Sequence, residues 1–272
     1  MVRFFINLKK MNYQIKQAFT PFGKVSPKTL SIILGIELAL LLLFWSFGSY
    51  TFLPKPIEII QAYPELIKRG LVGELMTSLI LCLKSILIAT GVAAFVSYLS
   101  RLPVFLFVGR FITKGRFLSS VGLSFFFTML TSTGNGLKTG ILVFFITVVF
   151  VTSFMAVIDN IKEYKYNHAR TLGLSPWHTL WEVVIKGTLA DMIEIMKQNF
   201  AIAWMLLTMV EGIVRSEGGI GVMLLIENRV LRLDNIFALQ IVVLIVGICL
   251  DALISYIKDI LCPYAKLSVI NK

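Results

Sequence analysis

The sequence predicts an all-α polytopic membrane protein with about six transmembrane helices. Three observations carry that expectation. The 272 residues are 57% hydrophobic with a mean hydropathy of +0.84. Only 15% are charged, against roughly a quarter in a soluble domain. The apolar residues fall in blocks of about 20, the length that crosses a hydrocarbon core of roughly 30 Å. In lipid every backbone amide must be satisfied internally, so long apolar blocks mean helices.

Residues 1–29 form a leader with Arg3, Lys9, Lys10, Lys16, Lys24 and Lys28 and no acid. It reads as a basic segment on the cytoplasmic surface, and the apolar block after it is too long for the core of a cleaved signal. Residues 30–74 hold the first span, Leu30–Ser49, and a proline-punctuated amphipathic stretch from Leu53 to Gly70. Residues 75–258 form the transmembrane core. Its first span is Leu75–Leu99, where Ser85, Ala89, Ala93 and Ser97 recur every four positions as a stripe for close helix packing. A basic connection, Arg101–Arg116, leads to a short third span at Phe117–Thr131. Further spans follow at Ile141–Ile158, Ile193–Val214 and Ile236–Ile257, and residues 259–272 are a cytoplasmic tail.

A polar stretch, residues 159–191, separates the fourth and fifth spans. Asn167 to Leu172 reads as the end of a helix and Gly173-Leu174 as a turn. Ser175 is suited to cap a second helix with Pro176 at its first position and Trp177, Leu180, Trp181 and Val184 on one face. With the N-terminus inside, 18 Lys and Arg lie on the cytoplasmic side and 7 on the other. That bias supports both termini and the polar module in the cytoplasm.

The net charge of +11 belongs to these orienting loops. No basic patch interleaved with exposed aromatics points to nucleic acid. Cys82, Cys249 and Cys262 have no metal spacing, His168 and His178 form no ligand pattern, and GNGLKTG lacks the order of a P-loop. No catalytic set, cofactor or metal is expected. Glu37, Lys84 and Asp251 lie within spans, and each is expected to reach an interface or a helix partner, Lys84 by snorkelling outward.

At three places the residues resemble the membrane permease subunits of binding-protein-dependent ABC importers, and most the nitrate/taurine/aliphatic-sulfonate/bicarbonate-like subgroup. Such permeases carry a loop of the form E-A-A-x-x-x-G followed by I-x-L-P. Here Asn167-His168-Ala169, then Arg170 to Gly173, then Val183 to Lys186 occupy it. Leu53-Pro54-Lys55-Pro56 matches an L-P-x-P after the first span. Ala203-Trp204, Glu211 and Gly219-Ile220-Gly221 match the fifth span and the turn after it. Asn167, His168 and Lys186 depart from the pattern, and prolines expected around the third span are absent.

The resemblance implies a type I ABC importer permease-like fold with no enzymatic activity of its own. It implies a bacterial cytoplasmic (inner) membrane location and, as partners, a dimer of cytoplasmic ATPase subunits, an external solute-binding protein and a second copy of the chain. A small anion such as nitrate, a sulfonate or taurine is the implied solute. Asn167, His168, Ala169, Arg170, Gly173, Leu174, Ser175 and Trp177 would form the ATPase-coupling loop, with Trp177, Leu180 and Trp181 holding its second helix against the spans. Trp204 and Glu211 would lie along the solute path, Glu211 bracing an external gate. Independently of the resemblance, the hydroxyls and amide of Thr131, Ser132 and Asn135 near the outer mouth suit the path of an oxyanion, the alternative being an ordinary turn between two spans. An ion-coupled secondary transporter is the alternative; it requires inverted repeats, which the two halves do not display.

Overall fold

The computed structural model describes residues 26–47 and 53–263. The leader up to residue 25 and the tail from 264 lie outside the described residues. All regular structure in the described residues is helical. The chain forms two compact units, residues 1–61 and 62–272.

The first unit holds α1, Pro27–Phe47, and the start of α2, Pro56–Lys68. Ser26 Oγ accepts from Thr29 N at 3.3 Å, so a hydroxyl caps α1. Apolar throughout its centre, α1 breaks its pattern only at Glu37. At the start of α2, Pro56 takes the first helical position and Glu58 Oε2 accepts from Lys55 N at 2.8 Å. This is the reciprocal half of a capping box.

The second unit is built on α3 (Leu71–Leu99), α6 (Gly134–Asp159) and α9 (Leu189–Ile213). The small-residue stripe does what its spacing predicts: Ser85, Ala89, Ala93 and Ser97 are all fully buried, and α3 packs chiefly on α6. One apolar cluster joins Leu81, Cys82 and Ile86 to Ile141, Ile146, Phe200 and Leu207. A second joins Ala93 to Phe150, Phe154, Ile158, Val184 and Ile195. Trp204 Nε1 donates to Val243 O at 2.9 Å and ties α9 to α11, Leu233–Leu261.

Among the described residues four helices, α1, α3, α6 and α11, are long and apolar enough to cross a membrane. Helix α9 has the length, 25 residues, but carries Asp191, Glu194, Lys197 and Glu211. The third crossing differs from expectation. It is not one helix over 117–131 but two short ones, α4 (Leu106–Lys114) and α5 (Ser120–Leu130). Eleven residues of α5 reach about 16 Å, half of a hydrocarbon core. A 3₁₀ turn at Gly115–Phe117 and two extended residues, Leu118 and Ser119, separate the pieces.

Close packing shows how the pieces run along α6. A methyl at Gly109 would lie 3.0 Å from Met155 Sδ, and one at Gly115 would lie 3.1 Å from Val148 Cγ2. Phe127 closes on Gly140. The pair therefore runs antiparallel to α6 along its length, with the break beside the middle of α6. The stretch Arg101–Arg116 is accordingly not all connection: α4 already climbs along α6, and Lys114 and Arg116 flank the break.

The ends of the unit are held by ion pairs. At one end Arg101 Nη2 meets Asp159 Oδ1 at 2.6 Å, Lys258 meets Glu194 at 2.6 Å, and Lys197 meets Asp251 at 3.3 Å. Asp251 thus has the helix partner expected of it. At the other end Arg232 holds Glu65 through two bonds of 2.6 and 2.7 Å. Arg69 bridges Glu65 to the buried Glu227, each at 2.6 Å, and Asn235 Nδ2 donates to Glu227 at 2.7 Å. The Arg232 guanidinium, with help from Arg69, holds the Glu65 carboxyl below the usual carboxylate range. A depressed folded-state value stabilises above the unfolded value and fails as pH falls through the folded one. Wild type should therefore unfold at higher temperature than Glu65→Gln at neutral pH, with the gap closing on acidification below pH about 4; melting in detergent across pH reads it.

Candidate functional site

The polar module is a helical hairpin. Helix α7, Glu163–Thr171, ends where Gly173 takes a φ of +73°. Gly173 N–H donates to Arg170 O at 2.9 Å, and Leu174 N–H donates to Ala169 O at 3.2 Å. These two bonds make a Schellman cap. A methyl at Gly173 would meet nothing within 4 Å, so glycine serves the left-handed turn and not a close approach. Ser175 then caps α8, Pro176–Thr179, accepting from His178 N at 3.4 Å and pairing with His178 Nδ1 at 2.9 Å. Asn167, His168, Arg170 and Ser175 are exposed, Leu174 is half-buried and Ala169 is buried.

Beyond Thr179 the chain becomes a π-helix, Leu180–Lys186. A π turn is wider than an α turn, so positions that an α-helix would align are split between faces. Val184 is buried and Leu180 packs beside it in the cluster with Phe154 and Ile195. Trp177 and Trp181 turn outward instead, 67% and 53% exposed. The expectation that both tryptophans hold the hairpin to the spans is therefore corrected; Leu180 and Val184 do so. Thr188, just after the π segment, donates to Val184 O at 2.7 Å and meets the Tyr98 hydroxyl of α3 at 3.4 Å. Tyr98 stands edge-on to Phe154 of α6 at 5.3 Å. The root of the hairpin is thus keyed to α3, α6 and α9, while Leu172, Trp177 and Trp181 form an uncovered apolar tip.

At the far end of the unit a carboxylate organises four elements. Glu211, near the end of α9, is fully buried. Its Oε1 accepts from Ser78 Oγ of α3 at 2.7 Å, and its Oε2 accepts from Gly221 N at 2.8 Å. Gly221 lies in the first turn of α10, Ile220–Arg229. Ser78 Oγ also accepts from Ile220 N at 2.9 Å. Lys138 of α6 is fully buried and donates to Gly218 O at 2.7 Å. Glu74 of α3 accepts from Gly219 N. Gly218 and Gly219 have φ of +69° and +114°, and side chains there would run into the carboxylates of Glu74 and Glu211. The turn Glu217–Gly221 is folded around these acids. The Glu211 carboxylate thus stands at the N-terminus of α10 and satisfies a hydroxyl of α3 and a backbone N–H of α10 within an otherwise apolar setting.

The five residues expected along a solute path are not brought to one surface. Trp204 and Glu211 are closed within the packed unit. Thr131 turns its hydroxyl to Phe127 O at 2.6 Å, Ser132 is exposed in the turn before α6, and Asn135 is exposed in the first turn of α6. A groove of about 520 Å³ between α9, α10 and α11 is lined instead by Thr208, Gly212, Gly221, Asn228 and Gln240, among others. Glu74, Ser78 and Lys138 escaped the sequence reading. Their signal was faint: a serine one turn after an acid at the head of a span, and a lysine one turn after a glycine-rich link. Ser78→Ala removes one partner from Glu211 and the acceptor of Ile220 N–H. It should cost about 1–3 kcal/mol, read as a fall in the unfolding midpoint in detergent with the hairpin untouched.

Compared with protein families, residues 58–264 match the model of the binding-protein-dependent transport system inner membrane component. Comparison with curated proteins finds no match. The matched stretch runs from α2 through α11 and takes in the hairpin and the Glu211 cluster. The family's members are transport subunits and not enzymes, and the family implies an ATPase and a solute-binding protein as partners. By that match the chain belongs to the inner membrane components of binding-protein-dependent transport systems and is a permease subunit of an ABC transporter of that kind.

Proposed function

We propose that the chain is the permease of an ATP-driven importer in the nitrate/taurine/aliphatic-sulfonate/bicarbonate-like subgroup and carries a small anion across a bacterial inner membrane. It works as a homodimer, with two copies of a cytoplasmic ATPase below and a solute-binding protein outside. Both termini and the hairpin 163–186 face the cytoplasm. The hairpin is the part that the ATPase moves. One observation carries the coupling role: the hairpin is rigidly capped and rooted, yet its apolar tip at Leu172, Trp177 and Trp181 is uncovered. Exposed tryptophans are poor neighbours for water and good anchors for a partner groove. Displacement of the tip passes through Val184 and Leu180 into α6 and α9, and through Thr188 to α3.

The outer end acts as a brace in this reading. Glu211 fastens the turn 217–221 to α3 and α9, which suits an anion importer, since a free carboxylate in the path would repel the solute. The subgroup rests on the three motifs in register, Leu53 to Pro56, Ala169 to Gly173, and Trp204 to Gly221.

Gly173 provides the test. A residue other than glycine in the left-handed region costs about 1–2 kcal/mol, and any side chain there stands on the docking tip. Gly173→Asp should insert at normal abundance and lose ATP-dependent uptake by at least about tenfold. Gly173→Asn, better suited to that backbone, should lose less. Normal uptake by Gly173→Asp in vesicles reconstituted with all subunits would remove the hairpin from the coupling role.

A further inference from the structure

Three cations stand at the middle depth of the spans with no acidic partner among the described residues. Lys84 is the fourteenth of 29 residues in α3. It is about 20 Å from either end of that helix and about 15 Å from either surface of the hydrocarbon core. Outward snorkelling does not cover that distance. It lies on the face opposite the buried stripe, exposed together with Ile80, Leu83, Leu87 and Ile88. Among the described residues it has no ion pair or side-chain hydrogen bond. Lys114 and Arg116 flank the break in the third crossing, where Gly115 packs against Val148 and Phe144 near the middle of α6. Both are exposed, and neither has an acidic partner among the described residues; Arg116 lies over the Phe117 ring at 5.1 Å.

Lipid is a poor neighbour for such groups, because an ionised side chain at mid-bilayer belongs beside water or a partner charge. Extended backbone at that depth, such as Leu118 and Ser119, is tolerated only inside protein or beside a water-filled cavity. A second copy packed symmetrically on the α3 face would set ammonium against ammonium in a low dielectric. Water between the two copies avoids this and leaves the cations free to attract an anion.

We infer that the α3 face around Lys84 and the break at Gly115–Ser119 each line water within the membrane, where Lys84 at the one place and Lys114 and Arg116 at the other attract an anionic solute at mid-depth. This rests on the importer reading above. It extends that reading to residues which the motif resemblance did not assign, and it moves the solute contacts away from Thr131, Ser132 and Asn135.

The test needs no knowledge of the natural solute. In a chain with Cys82, Cys249 and Cys262 replaced, Ile88→Cys reports one turn from Lys84 and Leu118→Cys reports the break. Vesicles carrying the whole importer are treated with water-soluble thiol reagents bearing either a sulfonate or a trimethylammonium group. Both positions should react, and with the sulfonate at least about tenfold faster. Lys84→Glu should reverse the preference at Ile88→Cys, and Lys114→Glu with Arg116→Glu should reverse it at Leu118→Cys. Reaction only with a lipid-soluble maleimide would overturn the path, as would equal rates for the two soluble reagents. Binding of the ATPase subunit is scored in the same vesicles. Binding without preferential labelling removes the path alone, whereas failure to bind removes the importer reading beneath it.

Discussion

The carboxylate of Glu211 is the contact on which the far half of the permease depends. Buried ion pairs can often be exchanged for apolar side chains of similar shape without loss. Glu211 cannot be exchanged in that way, because its partners are the Ser78 hydroxyl and the Gly221 N–H and not a paired cation. The N–H groups of Ile220 and Gly221 open a helix and remain whatever residue stands at 211. Apolar replacement would leave Gly221 N–H without its acceptor and Ser78 without its own, each worth about 1–3 kcal/mol. The turn has in turn adapted to the acid: Gly218 and Gly219 have no side chains because Glu74 and Glu211 occupy that space. Fastening α10 in this way positions Glu227 and, through Arg69, the clasp to Glu65 and Arg232.

The hairpin end follows the opposite design. Its root is apolar and packed, and its tip is apolar and bare. Both ends engage the same three helices, α3, α6 and α9, by different means: hydrogen-bonded charge at one and side-chain packing at the other. Packed cores shift between discrete arrangements more readily than they deform. In the proposed coupling, a push at the tip reaches the helices that carry Ser78, Lys138 and Glu211 without needing a separate route.

Much of this was legible in the residues. The spacing of Ser85, Ala89, Ala93 and Ser97 identified the packed face of α3, since a helix repeats nearly every four residues. Gly173, Ser175 and Pro176 announced the hairpin because each has a local backbone task that no other part of the fold alters. Glu211 stood out because it falls where the resembling permeases carry an acid seven residues after a tryptophan. What failed to show depended on distant segments or on unusual helix geometry. The π-helix at Leu180–Lys186 has no simple sequence mark, and it turned Trp177 and Trp181 away from the face that α periodicity predicted. Glu74 and Lys138 looked like loop-end charges because their partners lie 145 and 80 positions away. The third crossing read as one short span, since a break marked by Gly115 and two extended residues resembles the end of a connection.

The central claim is that the bare tip of the hairpin is the surface on which an ATPase acts. A photoreactive phenylalanine analogue placed at Trp177, in membranes containing the complete transporter, tests it most directly. The account predicts light-dependent capture of a subunit carrying a nucleotide-binding fold. The same probe at buried Val184 should capture only the permease itself. Adducts to lipid alone at Trp177, with the transporter assembled and active, would contradict the account and make the hairpin a membrane-surface element.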